Sequence, residues 1–221
     1  MSTPRIVKEI ISDIRVTKEE LLKIGIVKEA IGESVTCKGH NDYAITWSTK
    51  NDTSSIIYDK DISTDELIDG LLINNQYSFL LYDKSIIQIE YMVKNNKICK
   101  QRLLFIKKHN KIWDKKLIDQ FDEGDDVYYS DWFRDNVGIP TVLRIDYDVD
   151  EHVECKHAIS HMTLSNNQCC RIPIRGLVSC TEFLRLILFH FYDLNFSVNK
   201  FDYATYTITN KEQEMLHMSW K

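Results

Sequence analysis

Residues 155–176, CKHAISHMTLSNNQCCRIPIRG, bring three cysteines, two histidines and two arginines into one short stretch. Just upstream, residues 141–149 read TVLRIDYDV. Side chains on a strand alternate between its two faces, so residues an even number apart share one. On that rule Arg144, Asp146 and Asp148 lie together, opposite Leu143, Ile145 and Tyr147. In CKHAISHMTL, Cys155, His157, Ile159 and His161 share a face, and in CCRIPI, Arg171 and Pro173 oppose Ile172 and Ile174. If the three strands are neighbours, Arg144, Asp146, His157, His161 and Arg171 converge on one polar patch. A slip of one residue in the pairing separates them.

Three kinds of chemistry suit these residues. Cys155-x-His157-x-x-x-His161, with Cys169-Cys170, offers the thiolate and imidazole ligands that zinc takes, about four to a site. No C-x-x-C pair or H-E-x-x-H helix accompanies them, and an extended Cys169-Cys170 points its thiols to opposite faces, so no metal is expected. The second reading is a phosphate pocket. Arg144 and Arg171 present planar forks to phosphate, His161 or His157 moves a proton near neutral pH, and Asp146 orients it. The third is a surface strand with Arg–Asp cross-strand pairs and solvated histidines, each pair worth a few tenths of a kcal/mol. Spacing alone favours that plain reading over the pocket.

Other candidates carry less. The acidic DEGDD at 122–126 does not have the order of a calcium loop. Asp83, Lys84 and Glu90 resemble pieces of a metal-dependent nuclease hairpin but lack the E-x-K that would complete it. The Gly-rich phosphate loops, the dinucleotide fingerprint and the G-x-S-x-G elbow do not occur, and no cofactor is identified.

The elements that would position the patch are partly legible. Four S/T-x-x-E capping boxes, at Thr17–Glu20, Ser63–Glu66, Ser179–Glu182 and Thr209–Glu212, mark helix starts. After the third, Leu184, Ile187, Leu188 and Phe191 recur at helical spacing and predict a core-facing helix over 179–193. Val7, Ile10, Ile11 and Ile14 predict an earlier, short helix. Turn signals at Asp83-Lys84 and Asn95-Asn96, between β-branched and aromatic runs, predict a three-stranded meander over 77–83, 86–94 and 97–107. Residues 114–140 read as a long connection with a short helix near its start, whose Tyr128, Tyr129, Trp132 and Phe133 need burial.

The expected fold class is therefore α+β: a curved antiparallel sheet of about six strands packed by helices on one side. Residues 1–221 form one domain, with a helical segment at 1–34, the sheet at 77–174, the packing helix at 179–193 and a final helix at 209–221. Of the 221 residues 43% are hydrophobic, enough for a substantial core. A net charge of −5 supplies no global field toward nucleic acid or membrane, though it leaves room for a local basic patch. The charged N-terminus is not a signal peptide, and no segment reaches the roughly 18 apolar residues of a membrane helix. The expected location is cytoplasmic, with six reduced cysteines acting as small hydrophobes.

The order LRIDYD, HAISHMTL, CRIPI and EFLRLILFHFY resembles a bacterial family known as domain of unknown function 2290, as do YDKSIIQIEY and RLLFI earlier. The resemblance covers most of the chain and names no activity. The order R-x-D followed by H-x-x-x-H is more loosely similar to small toxins of bacterial toxin–antitoxin pairs, although the intervening sequence is longer here and CRIPI is extra. That likeness implies roles for Arg144, Asp146, His157 and His161, and a place among phage-defence genes. The expected function is a toxin-like or defence-associated protein acting on RNA or DNA, as a nuclease. Here Arg144 and Arg171 hold substrate, and His161, His157 and Asp146 act on it. The alternative is a non-enzymatic accessory or antitoxin-like subunit that binds a cognate protein encoded nearby.

Overall fold

A computed structural model describes residues 3–52, 55, 62–108, 141–164, 170–198, 201–203, 205 and 207–215. The first helix, α1 (Arg5–Ile24), is one unbroken element. Its buried residues, Val7, Ile10, Ile14, Thr17 and Leu21, keep a single stripe along the helix. Thr17, expected to cap a new helix, instead continues that stripe, and its hydroxyl meets that of Thr181 at 3.1 Å. Gly25 ends α1 in the left-handed region at φ 79°, where its N–H reaches the carbonyls of Leu21 and Leu22.

Three strands then occupy a region expected to be helical up to residue 34 or left without strands: β1 (Val27–Ala30), β2 (Glu33–Gly39) and β3 (Asp42–Trp47). The outer strand β2 is largely exposed and, among the described residues, pairs with β3 alone, so its sequence lacks the apolar alternation that marks a half-buried strand. Helix α2 (Thr64–Ile73) begins at the predicted Ser63 box, where Ser63 Oγ accepts from Glu66 N and Glu66 accepts from Ser63 N. The predicted meander follows as β4 (Phe79–Leu81), β5 (Ile86–Lys94) and β6 (Lys97–Lys107). After it come β7 (Thr141–Asp148), β8 (Ser160–Leu164) and β9 (Arg171–Pro173). Helix α3 (Cys180–Tyr192) starts at the Ser179 box, and α4 (Asn210–Met215) starts at the Thr209 box. The aromatic connection expected to hold a short helix, the DEGDD stretch and residues 216–221, expected to continue the final helix, lie outside the described residues.

Among the described residues the sheet is antiparallel and has nine strands, in the order β1-β4-β5-β6-β7-β8-β9, with β2 joined through β3 to β5. The excess over the expected six is the set near the N-terminus. The two long helices, α1 and α3, lie on one face, as the α+β reading requires. Their Val7, Ile10, Ile14, Phe183, Leu184 and Ile187 pack on Tyr91, Leu103, Phe105, Ile145 and Tyr147. On the opposite face α2 covers one end, where Leu67, Ile68 and Leu71 meet Ile86, Leu104 and Ile106. Further along, that same face turns polar: Ile86 gives way to Glu90 on β5, Leu104 to Arg102 on β6, and Val142 to Arg144 and Asp146 on β7.

Two buried carboxylates fasten the helices, Asp13 joining α1 to α3 and Asp83 joining α3 to the sheet. Asp13 of α1 accepts hydrogen bonds at the start of α3 from the N–H groups of Cys180 (2.7 Å) and Thr181 (3.0 Å), the Thr181 hydroxyl and Tyr203. Asp83 accepts from Lys107, from the Tyr192 hydroxyl at 2.9 Å and from Ser85 N. Asp83 is thus part of a structural cluster, whereas Glu90 pairs with Lys50 and Arg102, so the nuclease-hairpin fragments do not form a site. The Ser179 cap yields a modest expected result. Ser179→Ala removes an acceptor for Glu182 N, and urea unfolding should report a loss of about 1 kcal/mol with an unchanged m-value.

Candidate functional site

The polar half of the open face carries two cross-strand rows. Asp146 of β7 stands opposite Arg102 of β6 on one side and His161 of β8 on the other, and Arg102 in turn stands opposite Glu90. In the second row Leu104, Arg144, Thr163 and Arg171 run across β6, β7, β8 and β9. Directly opposed side chains share a face and lie about 4.5–5.5 Å apart at Cβ. The register therefore gathers Arg144, Asp146, His161 and Arg171, as the alternation of the sequence allowed. Leu143, Ile145 and Tyr147 bury on the helical side, which fixes the parity of β7.

His157 joins them by another route. Strand β8 begins at Ser160, and Ile159 packs on the helical side with Met162, so alternation does not carry back to His157. A tight turn does, in which His157 N donates to Val153 O at 2.7 Å and Cys155 takes a left-handed φ of 62°. The His157 and His161 rings stand edge to face, 4.9 Å between centroids. The Cys155 backbone N–H points to Glu212, at 3.4 Å, and the side chain is exposed. Cys37 is exposed too, against the expectation of buried thiols, while Cys180 is fully buried. Among the described residues no three His, Cys, Asp or Glu side chains group as metal ligands.

These residues line a cleft of about 390 Å³. Asp146 is its electrostatic centre: Arg144 Nε donates to one carboxylate oxygen at 2.5 Å and Arg102 Nε to the other at 3.3 Å. His161 Nδ1 lies 3.0 Å from the Ala158 carbonyl, which can only accept, so this nitrogen carries the proton. In the neutral ring Nε2 is then the basic nitrogen, and it faces Asp146 Oδ2 at 3.8 Å. The turn carbonyl of Ala158 orients the imidazole; Asp146 is within charge range of it but beyond hydrogen-bond length. Burial, and then the Arg171 charge, push the His157 pKa below its ordinary value. His161 is lowered for the same first reason, with Asp146 and the Ala158 bond opposing and His157 and Arg171 adding to it. Both rings are therefore neutral at pH 7.

Sequence spacing missed four contributors. Lys100 pairs with Asp148 at 2.7 Å, Arg102 with Asp146, and Glu151 lies 3.8 Å from His157. Thr163 stands between Arg144 and Arg171, buried, with no hydrogen-bond partner for its hydroxyl among the described residues. Lys100 and Arg102 do alternate with buried Leu103 and Phe105 in the sequence. Their link to Asp146 and Asp148 appears only once β6 is known to pair with β7. No described helix is long and apolar enough to cross a membrane.

Comparison with curated proteins and with solved structures gave no match. A family model described as Uncharacterized conserved protein (DUF2290) matches residues 27–220, which span β1 through the segment after α4 and all of the cleft. The chain belongs to that family.

Proposed function

We propose that the cleft acts on nucleic acid and cleaves a phosphodiester bond, with His161 as the proton-moving group. The observation that carries this reading is an oriented, neutral imidazole beside an arginine that has no carboxylate partner among the described residues. A neutral Nε2 can take the proton from an attacking hydroxyl as its oxygen bonds to phosphorus, and Arg171 would hold the phosphate as charge builds on it. The imidazolium formed at His161 can then return that proton to the leaving oxygen, directly or through His157, whose ring stands 4.9 Å away between centroids. Arg144 supports the phosphate from the next strand while Asp146 holds its Nε. On this reading the protein is toxin-like, works in the cytoplasm where its RNA or DNA substrate is, and belongs with defence functions restrained by a cognate protein.

The test uses purified full-length protein with labelled single-stranded and duplex RNA and DNA, with and without divalent cations. It is paired with induced expression in a bacterial host. Cleavage of at least one substrate and growth arrest relieved by Arg144→Ala are expected. A wild-type protein that is inert on every substrate and harmless on expression would sink the reading. Co-purification of a stoichiometric partner that survives loss of His161 and Arg171 would favour an accessory subunit.

A further inference from the structure

We propose that Arg171 and Thr163 seat a single phosphate group, so that the cleft meets its substrate through one phosphate of an unpaired strand. This deepens the nucleic-acid reading and rests on it only for what the phosphate belongs to.

Arg171 is partly buried, its Nε is enclosed, and among the described residues it has no hydrogen-bond or ion-pair partner. The Thr163 hydroxyl directly across from it is buried and equally unpartnered, with the side chain only 2% exposed. Two polar groups left without partners side by side are costly to the fold, and a cation more so than a hydroxyl. They share a sheet face with Arg144 and His161; Arg171 lines the cleft, and Thr163 is buried beside it in the same cross-strand row. The acceptor oxygens of a phosphate satisfy both, because a guanidinium fork and a hydroxyl are donors to the same group.

The charge pattern sets the number of phosphates. Lys100 has Asp148 at 2.7 Å, Arg102 has Asp146 at 3.3 Å and Arg144 has Asp146 at 2.5 Å. Among the described residues of the cleft, Arg171 is the cation without a carboxylate. A duplex needs a track of cations along its backbone, whereas one uncompensated guanidinium neutralises one phosphate. Negative groups of the same cleft, Asp146 and Asp148 of β7 and Glu151 just after it, would repel further phosphates and hold the register to that single seat.

The experiment titrates inorganic phosphate at fixed ionic strength, and then a 5′-phosphorylated trinucleotide at several salt concentrations, into the full chain. NMR follows the His157 and His161 ring resonances. Saturable shifts of both rings are expected. Arg171→Ala should weaken phosphate binding by about tenfold or more, and Thr163→Val by roughly fivefold, while Thr163→Ser keeps most of it. The trinucleotide should show a log–log salt slope near about −0.7, the single-strand value for one contact. Absence of a saturable shift would overturn the seat, as would wild-type binding by folded Arg171→Ala and Thr163→Val proteins. A slope several times steeper would overturn the single-phosphate claim. If phosphate binds at Arg171 and no nucleic acid is cut, the seat stands and the nucleic-acid reading falls. If nucleic acid is cut equally by wild type and Arg171→Ala without phosphate binding, the seat falls together with the role given to Arg171, and nucleic-acid cleavage stands without either.

Discussion

His161→Ala is expected to lower the rate of nucleic-acid cleavage by about 10²–10⁴-fold while the protein stays folded, the range for loss of a positioned acid–base group. The ring is held for that effect, since Ala158 fixes its tautomer and Nε2, buried with the rest of the ring, faces Asp146 at the wall of the cleft. The pH profile separates a proton-transfer role from a packing role. Burial lowers the His161 pKa, so the basic form persists below the ordinary value of 6.5. Plotted against pH, log kcat/KM should rise on the acid side and level off before 6.5. Arg171→Ala removes a nearby positive charge and should move that limb upward, toward 6.5. A variant that loses activity equally at every pH, with the limb unmoved, would argue that Arg171 acts only in binding. Stability has the matching sign. A histidine whose folded pKa is depressed contributes its full stability above 6.5, and that contribution is lost as pH falls through the folded value.

Asp13→Ala should be the most damaging single change to the fold. Removing the carboxylate leaves the N–H groups of Cys180 and Thr181, the Thr181 hydroxyl and the Tyr203 hydroxyl without their acceptor at the buried junction of α1 and α3. Loss of a buried, multiply bonded charged group costs about 3–5 kcal/mol. In a chain of this size that lowers Tm by roughly 6–20 °C, measurable by calorimetry. Asp13→Asn keeps one acceptor and should cost less. It also isolates a pH effect, because burial raises the Asp13 pKa above its ordinary 3.8. A carboxyl with a raised folded pKa contributes stability that is fully present below 3.8 and lost as pH rises through the folded value. The difference between wild type and Asp13→Asn should therefore shift in favour of wild type as pH falls through that window. Equal stability of the alanine variant and wild type would refute the junction's importance.

The two effects divide the molecule along its sheet. Asp13 works on the helical face, where α1 and α3 bury the apolar sides of β5, β6 and β7. His161 lies on the other face, beyond the end that α2 covers. One strand serves both: β7 buries Leu143, Ile145 and Tyr147 in the core and presents Arg144 and Asp146 to the cleft. The core residues thus hold the register on which the cleft depends.

The sequence by itself determined what near neighbours along the chain can decide. Ser63, Ser179 and Thr209 start helices because each cap and its Glu lie within one turn. The β5–β6 hairpin follows from Asn95-Asn96, both of which take positive φ at the turn. Alternation in LRIDYD put Arg144 and Asp146 on one face before any partner strand was known. Local signals also misled. Thr17-x-x-Glu20 looks like a cap, yet the apolar stripe carries α1 straight through it. The exposed β2 gave no apolar pattern to read. The tertiary structure decided which strands became neighbours and in what register. It placed Arg102 on Asp146 from a strand some forty residues earlier, carried His157 to His161 by a turn that breaks alternation, and set Thr163 between two arginines. The reason is physical: a cap or turn is fixed by atoms a few bonds apart. Cross-strand register is fixed by burial of the opposite face, which exists only when the whole sheet has packed.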